Sequence, residues 1–340
     1  MTLIEDPWTA PPAPSTDEPD AAAPERLYVD VAALLAGGLP KPPAPRLMRR
    51  EDGHCLFYDG KVNVLFGDPE CGKTMIAMAA CSEALNEGRR VTILDVDHNG
   101  AAEIVSRLIL LGAHPHHLAD PTRFRLHEPD DAEELRAVVA SMQRWRPAVA
   151  IVDSLGEVIP MLGLSSNSPD DYSTAHRDVL TAMAQAGAAV IAIDHMPKSE
   201  DARTHGQTGT VAKRRAVNGA NLRVTLTDTF VPGQGGAASL TVHKDRTGGL
   251  RAHCPNVGKN PPAGRFILTA HDDGTASWRV TSPDAATDVP TGGRASVDDI
   301  AELDSLDPEP TSVRDVKTRL GWGSDRATKA LAAWKEQRSA

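Results

Sequence analysis

The sequence predicts an α/β fold: a mostly parallel sheet covered by helices on both faces, extended by antiparallel strands and followed by a small helical module. Three observations carry this reading. Residues 148–154 and 188–195 are almost continuously apolar, as parallel strands buried on both faces must be. Helical periodicity fills much of residues 73–145, ahead of them. After Asn221 the texture changes to short alternating segments, NLRVTLTD, SLTVHKD, RFILTA and ASWRV, divided by glycine-rich turns.

Along the chain, residues 1–25 are proline, alanine and acid and are expected to be disordered. One short helix follows at about 29–35, ended by Gly37 and Gly38, and a proline-rich arm completes the segment 1–47. The globular domain is expected over 48–280. Its HCLFYDG and KVNVLFG segments read as two strands separated by an Asp59-Gly60 turn. A helix over 73–86 is closed by Gly88, and VTILDVD, residues 91–97, is the next strand. Helices over 101–111 and 131–145 follow, the second with an acidic first turn that suits the positive end of its dipole. Residues 281–311 read as a linker, and helical periodicity returns over 312–340.

Composition narrows the function. With 36 basic and 46 acidic residues the net charge is -10, which excludes a uniformly basic nucleic-acid coat but leaves room for a local basic site. The four cysteines, Cys55, Cys71, Cys81 and Cys254, show neither paired nor dense spacing, so a reduced, cytoplasmic setting is expected. The first residues lack the basic start and apolar run of a signal peptide. No segment reaches the roughly 20 apolar residues of a membrane span, so no membrane partner is expected.

The sharpest motif is GDPECGKT, formed by Gly67, Asp68, Pro69, Glu70, Cys71, Gly72, Lys73 and Thr74. It satisfies G-x-x-x-x-G-K-[ST] between a predicted strand and a predicted helix. The glycines let backbone amides face a β-phosphate, Lys73 neutralises β/γ oxygens, and Thr74 offers its hydroxyl to Mg²⁺. Cys71 contributes backbone, while a helix start beside Lys73 would lower its pKa. Asp153 ends an apolar strand, where a ligand to magnesium-bound water must stand, although such an aspartate also suits a plain cap. Strand alternation sends Asp95 and Asp97 to the same side, and either suits water activation, metal support or an ordinary strand-end hydrogen bond. His195 ends the next buried strand, placed to donate to a γ-phosphate or to serve as a core or capping histidine.

These residues together resemble the RecA/DnaB-like branch of P-loop ATPases, particularly hexameric replicative helicases and ATPases of plasmids, phages and integrated elements. The resemblance covers roughly residues 50–270. It implies that LDVDH carries the water-activating acid, Asp97, that IVDS is the strand bearing Asp153, and that His195 is the phosphate sensor. The family commonly has Glu where Asp97 stands, a carboxylate about 1.5 Å further out. VHKDRTGG is similar to a segment at the subunit boundary, which implies that Lys244 and Arg246 reach a neighbour's γ-phosphate. The expected partners are then neighbouring protomers in a homo-oligomer, a ring before a filament.

Residues 196–218 form a long connection with five basic and two acidic residues, net +3. The resemblance places it in a central channel, with Lys213, Arg214 and Arg215 on single-stranded DNA; ordering around ATP or packing the next subunit is the other reading. No stacking aromatics occur there, so base reading is not implied. The tail from Val313 carries seven basic and three acidic residues, net +4. Its two short helical segments around Gly-Trp-Gly fit a helix-turn-helix or winged-helix-like module, with Ser324 as a cap, or a protein-docking element. The sequence therefore points to ATP and Mg²⁺ as cofactors of a DNA-associated motor of a mobile element, with a replication protein as a further partner. A nonprocessive switch and a RecA-like recombination protein are the alternatives.

Overall fold

The computed structural model describes residues 29–39, 42–196, 211–283 and 297–320, with 327, 330–332, 334, 335 and 338 of the tail. The chain divides into two units, residues 1–41 and 42–340. In the first, α1 (Val31–Ala36) is capped by Asp30, whose side chain accepts from the Ala33 amide at 2.9 Å, and Gly37 ends it. The expected disorder of residues 1–25 lies outside the described residues.

The second unit is organised by β3 (Val62–Gly67), buried along its whole length. Its parallel neighbours are β7 (Ala189–His195) and β8 (Ala220–Val231). Beyond β7 lie β6 (Val149–Asp153), β4 (Val91–Asp95) and β5 (Phe124–His127), all parallel. Beyond β8, antiparallel β9 (Gly235–Asp245), β10 (Pro262–Ala270) and β11 (Ala276–Val280) complete a nine-stranded sheet. The expected parallel core with an antiparallel extension is therefore present, and no helix among the described residues is long and apolar enough to cross a membrane.

One sheet face packs α2 (Lys73–Asn86) and α3 (Ala101–Leu110) through Ile76, Ala80, Ile104 and Leu108 against Leu65, Ile93 and Ile191. The other packs α5 (Ala132–Trp145) through Leu135, Val139 and Met142 against Val64, Ala150 and Val190. Helix α5 opens on Asp131, whose carboxylate accepts from the amides of Glu133 and Glu134 at 2.8 and 2.9 Å. The start of β3 is held by Asn63. Its fully buried amide group donates to the carbonyls of Tyr58, Lys61 and Val190 and accepts from the amides of Tyr58 and Ala220.

Several expectations need correction. β2 (Cys55–Phe57) and β3 are two strands with the Asp59-Gly60 turn between them, as expected, but β2 pairs with β1 (Leu47–Arg49) in a two-stranded sheet of its own. A fully buried Arg50 ties that hairpin to Asp52 and to the carbonyls of Ala263 and His253. Between β6 and β7 lie α6 (Leu155–Met161), α7 (Pro169–Ala175), a π-helical turn (His176–Thr181) and α8 (Ala182–Gln185). The long connection after β7 contains α9 (Val211–Ala216), while its residues 197–210 lie outside the described residues.

The linker expected over 281–311 contains α10 (Val297–Asp304), and α11 (Val313–Leu320) follows. Leu303 of α10 and Val316 of α11 share a small core with Ala327, Ala330, Leu331 and Trp334. Residues 297–312, which include α10, bring six acids, so residues 297–340 hold seven basic and nine acidic residues, net -2, where the tail alone had +4. Arg338 is spent on Glu309 and Asp304, and Arg319 on Asp315. The turn at 321–324, with the Ser324 cap, lies outside the described residues.

Two histidines, the buried His176 and the half-buried His243, set an acid limit on this fold. Burial pushes His176 down to about 4, with Lys244 adding to it, and burial does the same to His243, to about 4, beside Arg223, Arg214, Arg251 and Lys259. A depressed folded pKa means that the unfolded chain binds the proton first. The stability is therefore present above 6.5 and lost as pH falls through about 4, roughly 3 kcal/mol for each at the limit. The fall in thermal midpoint between pH 7 and pH 4 should be clearly smaller in the His176→Gln/His243→Gln protein than in the parent. An unchanged fall would place the acid sensitivity in other groups.

Candidate active site

The phosphate-loop motif occupies the turn from β3 into α2. Gly67 has no room for a side chain: a Cβ would lie 2.4 Å from the Val224 carbonyl oxygen and 2.8 Å from Cys71 Sγ. Gly72 takes a left-handed φ of 95°, and a Cβ there would strike the Phe230 ring at 2.4 Å. Pro69 and Glu70 are exposed, Asp68 is half-buried, and Glu70 also has positive φ. Lys73 is 5% exposed, and its ammonium donates to the carbonyls of Gly67 at 3.2 Å and Asp68 at 2.6 Å. Cys71 is buried, and burial raises its pKa and outweighs Lys73, so its thiol is not activated and the residue serves the loop through its backbone.

Across the sheet edge, Thr74 Oγ1 donates to Asp153 Oδ2 at 2.9 Å. Burial raises the Asp153 pKa to about 6, with Asp97 and Asp95 adding repulsion and Thr74 and Lys73 opposing it. A hydroxyl and a carboxylate form a hard oxygen pair suited to Mg²⁺, which commonly takes few protein ligands and completes its shell with phosphate and water. Among the described residues no cluster of three or more His, Cys, Asp or Glu could hold a metal alone. The residues present fit Mg²⁺ held jointly with nucleotide phosphates.

The two acids of LDVDH separate. The strand ends at Asp95, so alternation does not reach Asp97. Asp95 is fully buried and accepts from Asn99 at 2.7 Å and from the Gly100 amide at 3.1 Å, fixing the entry to α3. Asp97 is exposed, and its Oδ1 accepts from the Ser154 amide at 3.0 Å and the Ser154 hydroxyl at 2.8 Å. The amides of Val96 and Asp97 both donate to the Asp153 carbonyl.

His195 stands opposite Gly67 in the parallel ladder, at the same edge as the phosphate loop. Lys213 does not face outward to nucleic acid: it is 2% exposed, and its ammonium donates to both Asp194 oxygens at 3.0 Å. Arg214 and Arg215 are exposed on α9. Lys244 is not a projecting finger, because its three donors go to the carbonyls of Arg214, Arg215 and Val217 at 2.8, 2.7 and 2.6 Å. Arg246 is exposed, with no side-chain hydrogen bond or ion pair to another described residue. The structure thus brings together Gly67, Lys73, Thr74, Asp97, Asp153 and His195 at one edge, buries Lys213 and ties the half-buried Lys244 to the end of α9.

A family model described as AAA domain matches residues 24–201. The chain belongs to the AAA domain family. Two curated relatives are protein RecA of Malacoplasma penetrans, 22% identical over 126 residues, and the mitochondrial DNA repair protein recA homolog of Dictyostelium discoideum, 24% identical over 159 residues. The matches cover 37% and 46% of this chain but only 36% and 29% of those relatives' lengths. A KaiC-like protein of Pyrococcus horikoshii OT3 superposes with a TM-score of 0.47 at 12% identity, over 71% of this chain and 99% of its own. The resemblance to RecA-like P-loop ATPases stands.

The AAA domain match includes the phosphate loop, Asp97, Asp153 and His195 and ends before Lys213 and Lys244. Ser154 is the member of the site that sequence reasoning missed, because a serine after a strand-end aspartate carries no signal until the neighbouring strand brings Asp97 beside it. Asp97→Asn is expected to keep nucleotide binding and to slow ATP hydrolysis more than tenfold. Ser154→Ala should slow it about three- to tenfold, with Ser154→Thr recovering part of the loss. Parent-like turnover in both Asp97→Asn and Ser154→Ala would remove this pair from catalysis.

Proposed function

We propose that this AAA domain protein hydrolyses ATP with Mg²⁺ and couples the hydrolysis to work on DNA, as one subunit of a homo-oligomer. The observation that carries the reading is the 2.9 Å contact between Thr74 and Asp153 at the head of the phosphate loop. In the proposed reaction the loop amides cradle the β-phosphate, and Lys73 turns from the Gly67 and Asp68 carbonyls to the β/γ oxygens. Thr74 and Asp153 would hold the cation, which would offset charge on the transferred phosphoryl group. Asp97, oriented by Ser154, positions and deprotonates the attacking water. Its shorter reach than a glutamate calls for close approach or an intervening water. His195 donates to the γ-phosphate and loses that contact after cleavage.

The DNA-facing residues in this reading are Arg214 and Arg215, and the trans-acting residue is Arg246, supplied to the neighbour's site. A ring acting on single-stranded DNA in mobile-element replication, with a replication protein as partner, is the finer proposal. A RecA-like recombination protein is the second reading, favoured by the names of the curated relatives. Filaments on single-stranded DNA under electron microscopy would favour recombination, and closed rings the motor.

ATP turnover with and without single-stranded DNA tests the core proposal. Lys73→Ala should lose binding or turnover while staying folded; a folded variant with parent activity would end the ATPase assignment. Arg246→Ala should be inactive alone and regain activity when mixed with Lys73→Ala, since a mixed assembly pairs an intact Arg246 with a neighbour's intact Lys73. No recovery in demonstrably mixed oligomers would rule out action in trans. Arg214→Ala/Arg215→Ala should keep basal turnover and weaken salt-dependent DNA affinity at least tenfold. Unchanged affinity would move the DNA site off α9.

A further inference from the structure

The buried ion pair between Asp194 and Lys213 lies outside the chemistry described so far. Both side chains are almost wholly buried, at 2% and 3% exposure. Asp194 Oδ1 accepts from Lys213 Nζ and from the backbone amide of His195, each at 3.0 Å, and Oδ2 accepts from Lys213 at the same distance. One carboxylate therefore holds the peptide of His195 and the helix that carries Lys213.

Strand alternation separates the two neighbours onto opposite sheet faces. Asp194 stands opposite Phe66 in the ladder and shares the face of Val190 and Ala192, where α5 packs. His195 shares the face of Ile191 and Ile193, where α2 packs behind the phosphate loop. The Met196 amide then donates to the Gly67 carbonyl at 3.2 Å, joining the end of β7 to the first residue of the loop.

Helix α9 has only six residues, too few to hold its form alone. It is fastened at Lys213 to β7 and, through the three carbonyls taken by Lys244, to β9. The Lys213 ammonium also lies 5.8 Å from the centroid of the buried Tyr172 ring on α7, so the pair sits in apolar surroundings. A buried ion pair adds little net stability compared with apolar groups of the same shape, whereas loss of one partner strands the other charge. Its value here lies in geometry: a forked, charged contact admits one position of α9 against the strand end.

We infer that Asp194 and Lys213 are positioning residues for His195: the pair sets the sensor imidazole against the phosphate loop from the opposite face of the sheet and links that setting to α9. The inference rests on the ATPase reading above. The pair is buried on the sheet face away from the phosphate loop, so nucleotide affinity survives its removal while turnover does not.

The decisive protein is Asp194→Asn/Lys213→Met, which removes both charges, keeps the side-chain volumes and leaves an oxygen for the His195 amide. It is expected to melt within a few degrees of the parent, to bind an ATP analogue within threefold of the parent, and to lose at least tenfold in kcat. Lys213→Arg, which keeps the positive charge facing both Asp194 oxygens, should retain at least a third of parent kcat. A double variant with kcat within twofold of the parent would make the pair purely structural. Loss of nucleotide affinity in proportion to turnover would do the same.

Hydrogen exchange at His195 and α9 gives a readout independent of turnover. Binding of a nonhydrolysable ATP analogue should change exchange at residues 213–216 in the parent and leave it unchanged in the double variant. If the parent shows this change but hydrolyses no ATP, the ATPase proposal falls and the positioning pair stands. No nucleotide-dependent change in the parent, or the same change in both proteins, overturns the pair.

Discussion

Burial of β3 between β7 and β8 is the constraint on which the candidate site depends. At its start Asn63 meets five backbone groups of the flanking segments, and at its end Gly67 approaches the Val224 carbonyl too closely for any side chain. With both ends held, the parallel ladder sets Gly67 beside His195. One strand further lies Asp153, and beyond it Asp95. The carboxyl edge of the sheet thus presents the phosphate loop, an imidazole and two acids in a row, the location at which open α/β sheets place ligands.

The electrostatics of that edge are unfavourable for the protein alone. Asp153 is buried, with Asp95 and Asp97 near enough to raise its pKa, and its hydrogen bond to Thr74 only partly offsets this. A divalent cation opposes both burial and like-charge repulsion, so the arrangement favours cation and nucleotide binding at a cost to the isolated fold. The same logic governs Asp194, where Lys213 supplies the opposite charge permanently. A built-in cation suits a positioning role, whereas the Thr74–Asp153 pair leaves that charge to be brought by the ligand.

The basic residues show how tertiary contacts change a charge count. Lys213, Arg214 and Arg215 are contiguous in sequence, yet the first turns inward to an acid 19 positions away while the other two face out. Lys244 and Arg246 sit two apart, and one closes the end of α9 while the other remains exposed. The +4 of the tail is offset by the six acids of residues 297–312, whose helix α10 shares an apolar core with α11. Local net charge is a property of the chain; which charges meet solvent depends on packing.

The parallel core, the antiparallel extension and the span of α2 over residues 73–86 were determined by the sequence alone, because apolar runs, strand alternation and glycine spacing are local and repetitive signals. The phosphate loop was equally plain, since backbone geometry demands its glycines. The partner of each polar group was decided only by tertiary structure. Nothing in LDVDH or IVDS says that Asp97 meets Ser154 or that Asp95 holds the turn into α3, and nothing near Asp194 announces Lys213. Hydrogen bonds and ion pairs act over about 3 Å between residues far apart in the chain, so they exist only once the sheet has set its strand order and register.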